Sequence, residues 1–189
     1  MLGTSFPEVL ERTRTGDPSA FAAIWREFQP PLLRYLRVTA REAAEDVASE
    51  TWATVSTTIS SFDGDETAFR AWLFTVARRR AIDLFRREAR RPSVPVDPVV
   101  LGRTPLATSA PEPQDAALST LALESALDLI AELPTAQREA VMLRAIAGLD
   151  VPHVAAIMGK RPGTVRVLAH RGLRTLARRL TEEERAVTP

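Results

Sequence analysis

Six prolines (Pro92, Pro95, Pro98, Pro105, Pro111 and Pro113) fall in one short stretch among Ser, Thr, Val and Ala. A proline inside a helix removes a hydrogen-bond donor and clashes with the carbonyl four residues back, so no regular helix continues through such a stretch. The segment reads as a semi-extended linker. On both sides of it the apolar residues recur at helical spacing, and no period-two run occurs. The expected fold is therefore all-α: two small helical domains joined by a Pro-rich linker. The boundaries expected are 1–91, a linker over 92–115, a second domain over 116–182 and a tail over 183–189. Each half has its own apolar stripes and is expected to fold independently.

The helices can be placed from their ends. Asp17-Pro18 supplies an N-cap and a first-turn proline ahead of Phe21, Ile24, Trp25 and Phe28. Pro30-Pro31 should kink or restart that helix before Leu32, Leu33, Tyr35 and Leu36. Ala44, Val47, Ala48, Thr51, Trp52, Val55 and Ile59 mark the next one, which leaves Glu42, Glu45, Asp46, Ser49 and Glu50 on the opposite face. Asp63-Gly64-Asp65 interrupts the pattern, and Asp65 or Thr67 can cap a further helix to about Arg91. After the linker, one helix stops at Pro134 and a second covers Thr135 to Ala147, closed by Gly148. A third starts at Asp150-Val151-Pro152 and ends at Gly159, and the last runs from Thr164 to about Leu180.

The chain has no cysteine, which excludes disulfides, thiol nucleophiles and cysteine-ligated metals together. Its two histidines, His153 and His170, are far apart in sequence and read as a capping and a surface residue, so no metal or cofactor is expected. No run approaches the ~18 apolar residues of a membrane span, and the N-terminus has no basic cluster. A soluble, cytoplasmic protein is expected. No Gly-rich phosphate loop or metal-spaced carboxylate pair suggests an enzyme.

The net charge of +1 conceals an alternation. Residues 41–66 carry one Arg against seven acids, and residues 70–91 carry eight Arg against two acids. Residues 92–132 carry one Arg against six acids, and residues 133–180 carry nine basic residues against two acids. Two basic blocks separated by acidic ones suggest two anion-binding surfaces, the alternative being ordinary solvated helix faces.

The last two helices have a helix-turn-helix layout. Val165, Ala169, Gly172 and Leu176 face inward, with the small residues allowing close packing, while Thr164, Arg166, Val167, His170 and Arg171 face outward. Such a helix fits the major groove, where Arg takes both acceptors of a guanine. The block from Phe69 to Arg80 joins aromatics to a basic run, a combination suited to unpaired bases and phosphates. Phe69, Trp72, Leu73 and Val76 share one stripe and also read as core, which leaves the loop 61–67 and the exposed Arg residues as the better ligands. The acidic face of 42–50 suits a basic protein partner.

These residues resemble a known family. Ala44-Glu45-Asp46-Val47-Ala48-Ser49-Glu50-Thr51-Trp52, Phe69-Arg70-Ala71-Trp72-Leu73, Ala77-Arg78 and Ala81-Ile82-Asp83 look like region 2 of extracytoplasmic-function (ECF) sigma factors of the sigma-70 family. Leu133-Pro134, Arg138-Glu139, Leu143-Arg144, Gly148-Leu149, Val154-Ala155, Gly159 and Gly163-Thr164-Val165 look like their region 4. The resemblance implies a non-enzymatic subunit that directs bacterial core RNA polymerase to promoter DNA, with an anti-sigma factor as a further class of partner. It implies core binding by Glu45, Asp46, Ser49 and Glu50. It implies −10 contacts by Asp63, Phe69, Arg78, Arg79, Arg86 and Arg87. For the −35 element it implies Arg161, Gly163, Thr164, Arg166, Val167, His170, Arg171 and Arg174. The sequence departs from the family pattern where Ser49 replaces Gln, Arg79 replaces Asn, and Val167 and Leu168 replace polar and basic residues. The competing reading is an autonomous helix-turn-helix regulator, which leaves the acidic helix unexplained.

Overall fold

Asp17 accepts hydrogen bonds from the Ser19 and Ala20 amides through its side chain, and Pro18 begins the helix it caps. The computed structural model describes residues 2–90 and 114–187, and among these every regular element is helical. In the first half, α1 is Phe6–Arg14, α2 Pro18–Ala40, α3 Ala44–Thr58 and α4 Glu66–Arg90. In the second, α5 is Gln114–Ala131, α6 Thr135–Val141, α7 Val151–Met158 and α8 Pro162–Val187. Short 3₁₀ turns at Arg41–Ala43 and Ile59–Ser61 join α2 to α3 and end α3.

The first half is a four-helix packing in which α2 contacts α1, α3 and α4. Its centre is aromatic. Phe28 and Phe69 meet edge to face at 5.0 Å between ring centroids, and Phe6 of α1 lies 5.6 Å from Phe69. Edge-to-face pairing places a positive ring edge on a negative ring face.

Three elements differ from the sequence expectation. The helix does not restart at Pro30-Pro31: both lie inside the single helix Pro18–Ala40, although each removes a ladder hydrogen bond. The flanking residues explain this: Phe28, Leu32, Tyr35 and Leu36 are all fully buried, so packing on both sides outweighs the local loss. The helix expected over Thr135 to Ala147 is α6 followed by a π-helical turn, Met142–Ile146, that delivers Met142, Leu143 and Ala147 to the core. The last helix begins at Pro162 and continues to Val187, through most of the expected tail. The expected linker lies outside the described residues, except that Gln114 and Asp115 open α5.

The halves also share an interface. α2 packs against α5 and against the π-helical turn, and α4 packs against α7. One buried apolar cluster runs through both halves. The two helical halves expected from the sequence are present, and the structure places them in contact through α2, α4, α5, α7 and the π-helical turn.

Candidate polymerase and nucleic-acid interface

α3 separates its two faces cleanly. Ala44, Val47, Ala48, Thr51, Trp52 and Val55 are buried, and Glu45, Asp46, Ser49 and Glu50 are all exposed. The Trp52 indole N–H donates to Gln29 Oε1 at 2.5 Å, which fixes α3 against α2. A shallow groove lined by Trp25, Gln29, Leu33 and Trp52 runs beside Glu45 and Ser49. The other edge of this acidic face borders α4, where Arg80 donates to Thr54 Oγ1 at 2.8 Å and lies 3.9 Å from Glu50.

The loop between α3 and α4 is short and tightly built. Asp65 Oδ1 accepts from the Ala68 amide at 2.8 Å and so caps α4, while the Asp63 side chain is fully exposed. Gly64 has φ +153°, and a Cβ there would stand 2.9 Å from the Ala68 Cβ, so only glycine fits. The Phe62 ring stacks on Trp72 at 5.1 Å.

On α4, Arg79, Arg86 and Arg87 are exposed. Phe69 is different: its side chain is fully buried among Phe6, Phe28, Phe62 and Trp72. No ring face remains for a base, so the DNA contact expected at Phe69 does not hold in this structure. Arg78 is half-buried and bonded to Glu139 of α6. Burial works against its charged form, but the bond to Glu139 and that carboxylate's charge outweigh this and strengthen the guanidinium's hold on its proton. The sequence did not disclose this pairing, because it crosses the linker. Arg70 is occupied similarly, with Glu66 at 2.9 Å, the Ala147 carbonyl at 3.4 Å, and the Phe28 ring 5.0 Å away.

The second half presents the helix-turn-helix. Asp150 caps α7 by accepting from the His153 amide at 2.9 Å, a bond that lowers its carboxyl pKa. The His153 ring Nδ1 lies 2.7 Å from the same oxygen, which fits the capping role expected of it. Gly159 adopts φ +63° and reverses the chain. Val165, Gly172 and Leu176 are buried and Ala169 half-buried, as their spacing requires. A Cβ on Gly172 would meet Val141 Cγ2 at 2.7 Å, so α8 approaches α6 at glycine distance. Arg161, Gly163, Thr164, Arg166, Val167, His170, Arg171 and Arg174 all lie on the exposed surface. No group of three or more metal-binding side chains occurs among the described residues.

The comparisons with known proteins follow the same division. The sigma-70 region 2 model matches residues 24–91 and the sigma-70 region 4 model matches 123–176, together more than half of the chain. The ECF RNA polymerase sigma factor BldN of Streptomyces coelicolor is 33% identical over 94% of this chain and 67% of its own length. The chain belongs to the ECF sigma factors. ShbA of Streptomyces griseus, of the same family, is 31% identical over 93% of this chain and 94% of its own length. Two solved structures show the same fold at 22% identity. One, of CnrH in complex with the cytosolic domain of CnrY, has a TM-score of 0.63 over 95% of this chain and 99% of that one. The other, of the sigma factor RpoE with the anti-sigma factor NepR from Bartonella quintana, has a TM-score of 0.61 over 85% of this chain and 96% of that one.

As a sigma factor, the protein directs RNA polymerase to promoters and initiates transcription. Region 2 begins within α2 and takes in α3, the loop and α4; region 4 takes in the end of α5, the helix-turn-helix and most of α8. No helix among the described residues is long and apolar enough to cross a membrane.

Proposed function

We propose that the two halves of this sigma factor divide the work by surface. Residues 1–91 bind core polymerase and open the −10 element, 92–115 connect, and 116–182 read the −35 element. On α3, the exposed Glu45, Asp46, Ser49 and Glu50 form the core-binding face. This reading is supported by their position opposite the buried Val47, Thr51 and Trp52, because a partner can then cover them without disturbing the core. The loop carrying Asp63 captures an unpaired −10 base, and Arg79, Arg86 and Arg87 neutralise phosphates. Unpairing costs a few kcal/mol per base step, and capture of the freed base offsets it.

In the second half, Arg166 and Arg171 read base edges, with Arg161, Gly163, Thr164, Val167, His170 and Arg174 placing α8 in the groove. Arg78 becomes available to DNA only when its bond to Glu139 opens. The protein performs no covalent chemistry; polymerase does. It acts in the cytoplasm, and the relatives solved with anti-sigma factors support a partner of that class here. The single observation that carries the reading is the pairing, on one chain, of an exposed acidic helix with an exposed basic recognition helix.

The test compares the protein alone with the protein plus core polymerase on duplex promoter DNA. We expect thymines near −10 to become permanganate-reactive only when both are present. Tight binding of palindromic duplex by a dimer of the protein alone, with no opening, would instead favour an autonomous regulator.

A further inference from the structure

We propose that Arg14, the last residue of α1, is a positioning residue for the promoter-reading loop that follows Ser61. The inference rests on the assignment of that loop to −10 capture made above. The Arg14 Nη2 donates to the Phe62 carbonyl oxygen and lies 3.5 Å from Asp63 Oδ1, while Nη1 lies 3.1 Å from Glu11 Oε2. Its side chain is 27% exposed, and its Nε is buried without a hydrogen-bond partner. Leaving a charged N–H unpaired is costly, so the guanidinium is held where the loop needs it at some expense to itself.

The loop is gripped from every side except the one it presents. Arg14 holds the Phe62 carbonyl; Phe69 and Trp72 hold the Phe62 ring, at 5.4 Å and 5.1 Å. Gly3 of the N-terminal turn donates its amide to Glu66 Oε2 at 2.7 Å, and so ties the far end of the loop to the same N-terminal segment. The 3₁₀ turn before the loop also packs on α1. Asp63 projects into solvent with its side chain fully exposed, and Arg14 is the cation beside it.

Two consequences follow for base capture. A loop already fixed does not lose conformational entropy when a base arrives, which preserves the favourable energy of capture. A cation next to Asp63 also lowers the repulsion between that carboxylate and nearby phosphates. The region 2 match begins at residue 24, so the strap that does this lies ahead of the matched residues.

The experiment uses full-length protein with core polymerase and a promoter library randomised across the −10 element. Arg14→Gln should flatten the base preference at one −10 position while core affinity stays within about twofold of wild type. Amide hydrogen exchange in residues 62–65 should speed up about tenfold, with exchange in the α2 core unchanged. Arg14→Lys, which keeps the charge without the fork, should retain part of the preference, and it serves as the test variant if Arg14→Gln does not fold. An unchanged profile in both variants overturns the proposal. So does a uniform drop at all positions in a folded variant, because a positioning role predicts a change at one position. Asp63→Ala separates the two layers: if it shifts the profile and Arg14→Gln does not, only the role of Arg14 fails. If Asp63→Ala leaves the profile untouched, the loop assignment fails and the strap fails with it.

Discussion

Arg78 on α4 is bonded to Glu139 on α6 across the junction of the two halves, with a second N–O approach of 3.5 Å between Nη2 and Oε2. The side chains are 26% and 15% exposed, so water screens the pair only partly. Removing one partner leaves the other with an unmet charge in a half-buried setting. Glu139→Gln is expected to destabilise the protein by about 1–2 kcal/mol. Glu139→Arg should separate the halves, and the exchanged pair Arg78→Glu with Glu139→Arg should bring them together again. A fluorescence distance measurement between the halves checks both.

Tyr35 reports on the same junction. It is the only tyrosine, fully buried, and both its burial and the neighbouring Glu139 raise its pKa above the ordinary 10.0. The fold favours the neutral phenol. This contribution is complete below about pH 10 and is lost as pH rises through the folded value. An absorbance titration of tyrosinate should therefore show a high midpoint in wild type. Glu139→Gln should lower that midpoint while leaving it above 10.0, because burial remains.

Gly172→Ala sets two effects against each other. Alanine gains about 1 kcal/mol of helix propensity. Its Cβ, however, would stand 2.7 Å from Val141 Cγ2, on a stiff β-branched side chain, and 3.4 Å from Leu133 Cδ1. Overpacking of this kind costs about 1–3 kcal/mol, so the thermal midpoint should fall. Adding Val141→Ala should recover part of the loss, and a double-mutant cycle measures the coupling.

The helix-turn-helix was legible because its constraints are local. Asp150 at the cap and Gly159 at the turn each act on the one short helix between them, and the small Ala169 and Gly172 fall on one stripe of a single helix. Phe69 was not legible as core alone, since its burial depends on Phe6 from α1 as well as on its own helix. The Arg78–Glu139 pair was invisible for a similar reason: nothing local distinguishes an arginine aimed at DNA from one aimed at another domain. Pro30-Pro31 does not restart the helix, because the packing of Phe28 and Leu32 on either side overrides the local signal.

Asp46→Arg with Glu50→Arg tests the core-binding face. Both residues are exposed on α3, so the thermal midpoint should barely move. Affinity for core polymerase, measured by co-purification or fluorescence anisotropy, should fall by more than about tenfold.

Arg166 and Arg171 should differ in kind from Arg86 and Arg87. Loss of a bidentate guanine contact costs about 1–3 kcal/mol and relaxes preference at one −35 position. Loss of a phosphate contact at Arg86 or Arg87 should weaken all promoters alike and reduce the salt slope by about one unit. A salt titration of holoenzyme binding to a set of promoters distinguishes the two behaviours.

Under the proposed division of work, this chain confers promoter choice on polymerase through two separate surfaces. The most direct measurement is to sequence the transcripts made by core polymerase from a randomised promoter library, with and without the protein. Two enriched blocks at a fixed spacing should appear, and only with the protein. Arg166→Ala or Arg171→Ala should blur the upstream block alone, and the Asp46→Arg, Glu50→Arg variant should enrich neither. Enrichment of the same sequences by core polymerase alone, or an upstream block unchanged in both recognition-helix variants, would contradict that division of work.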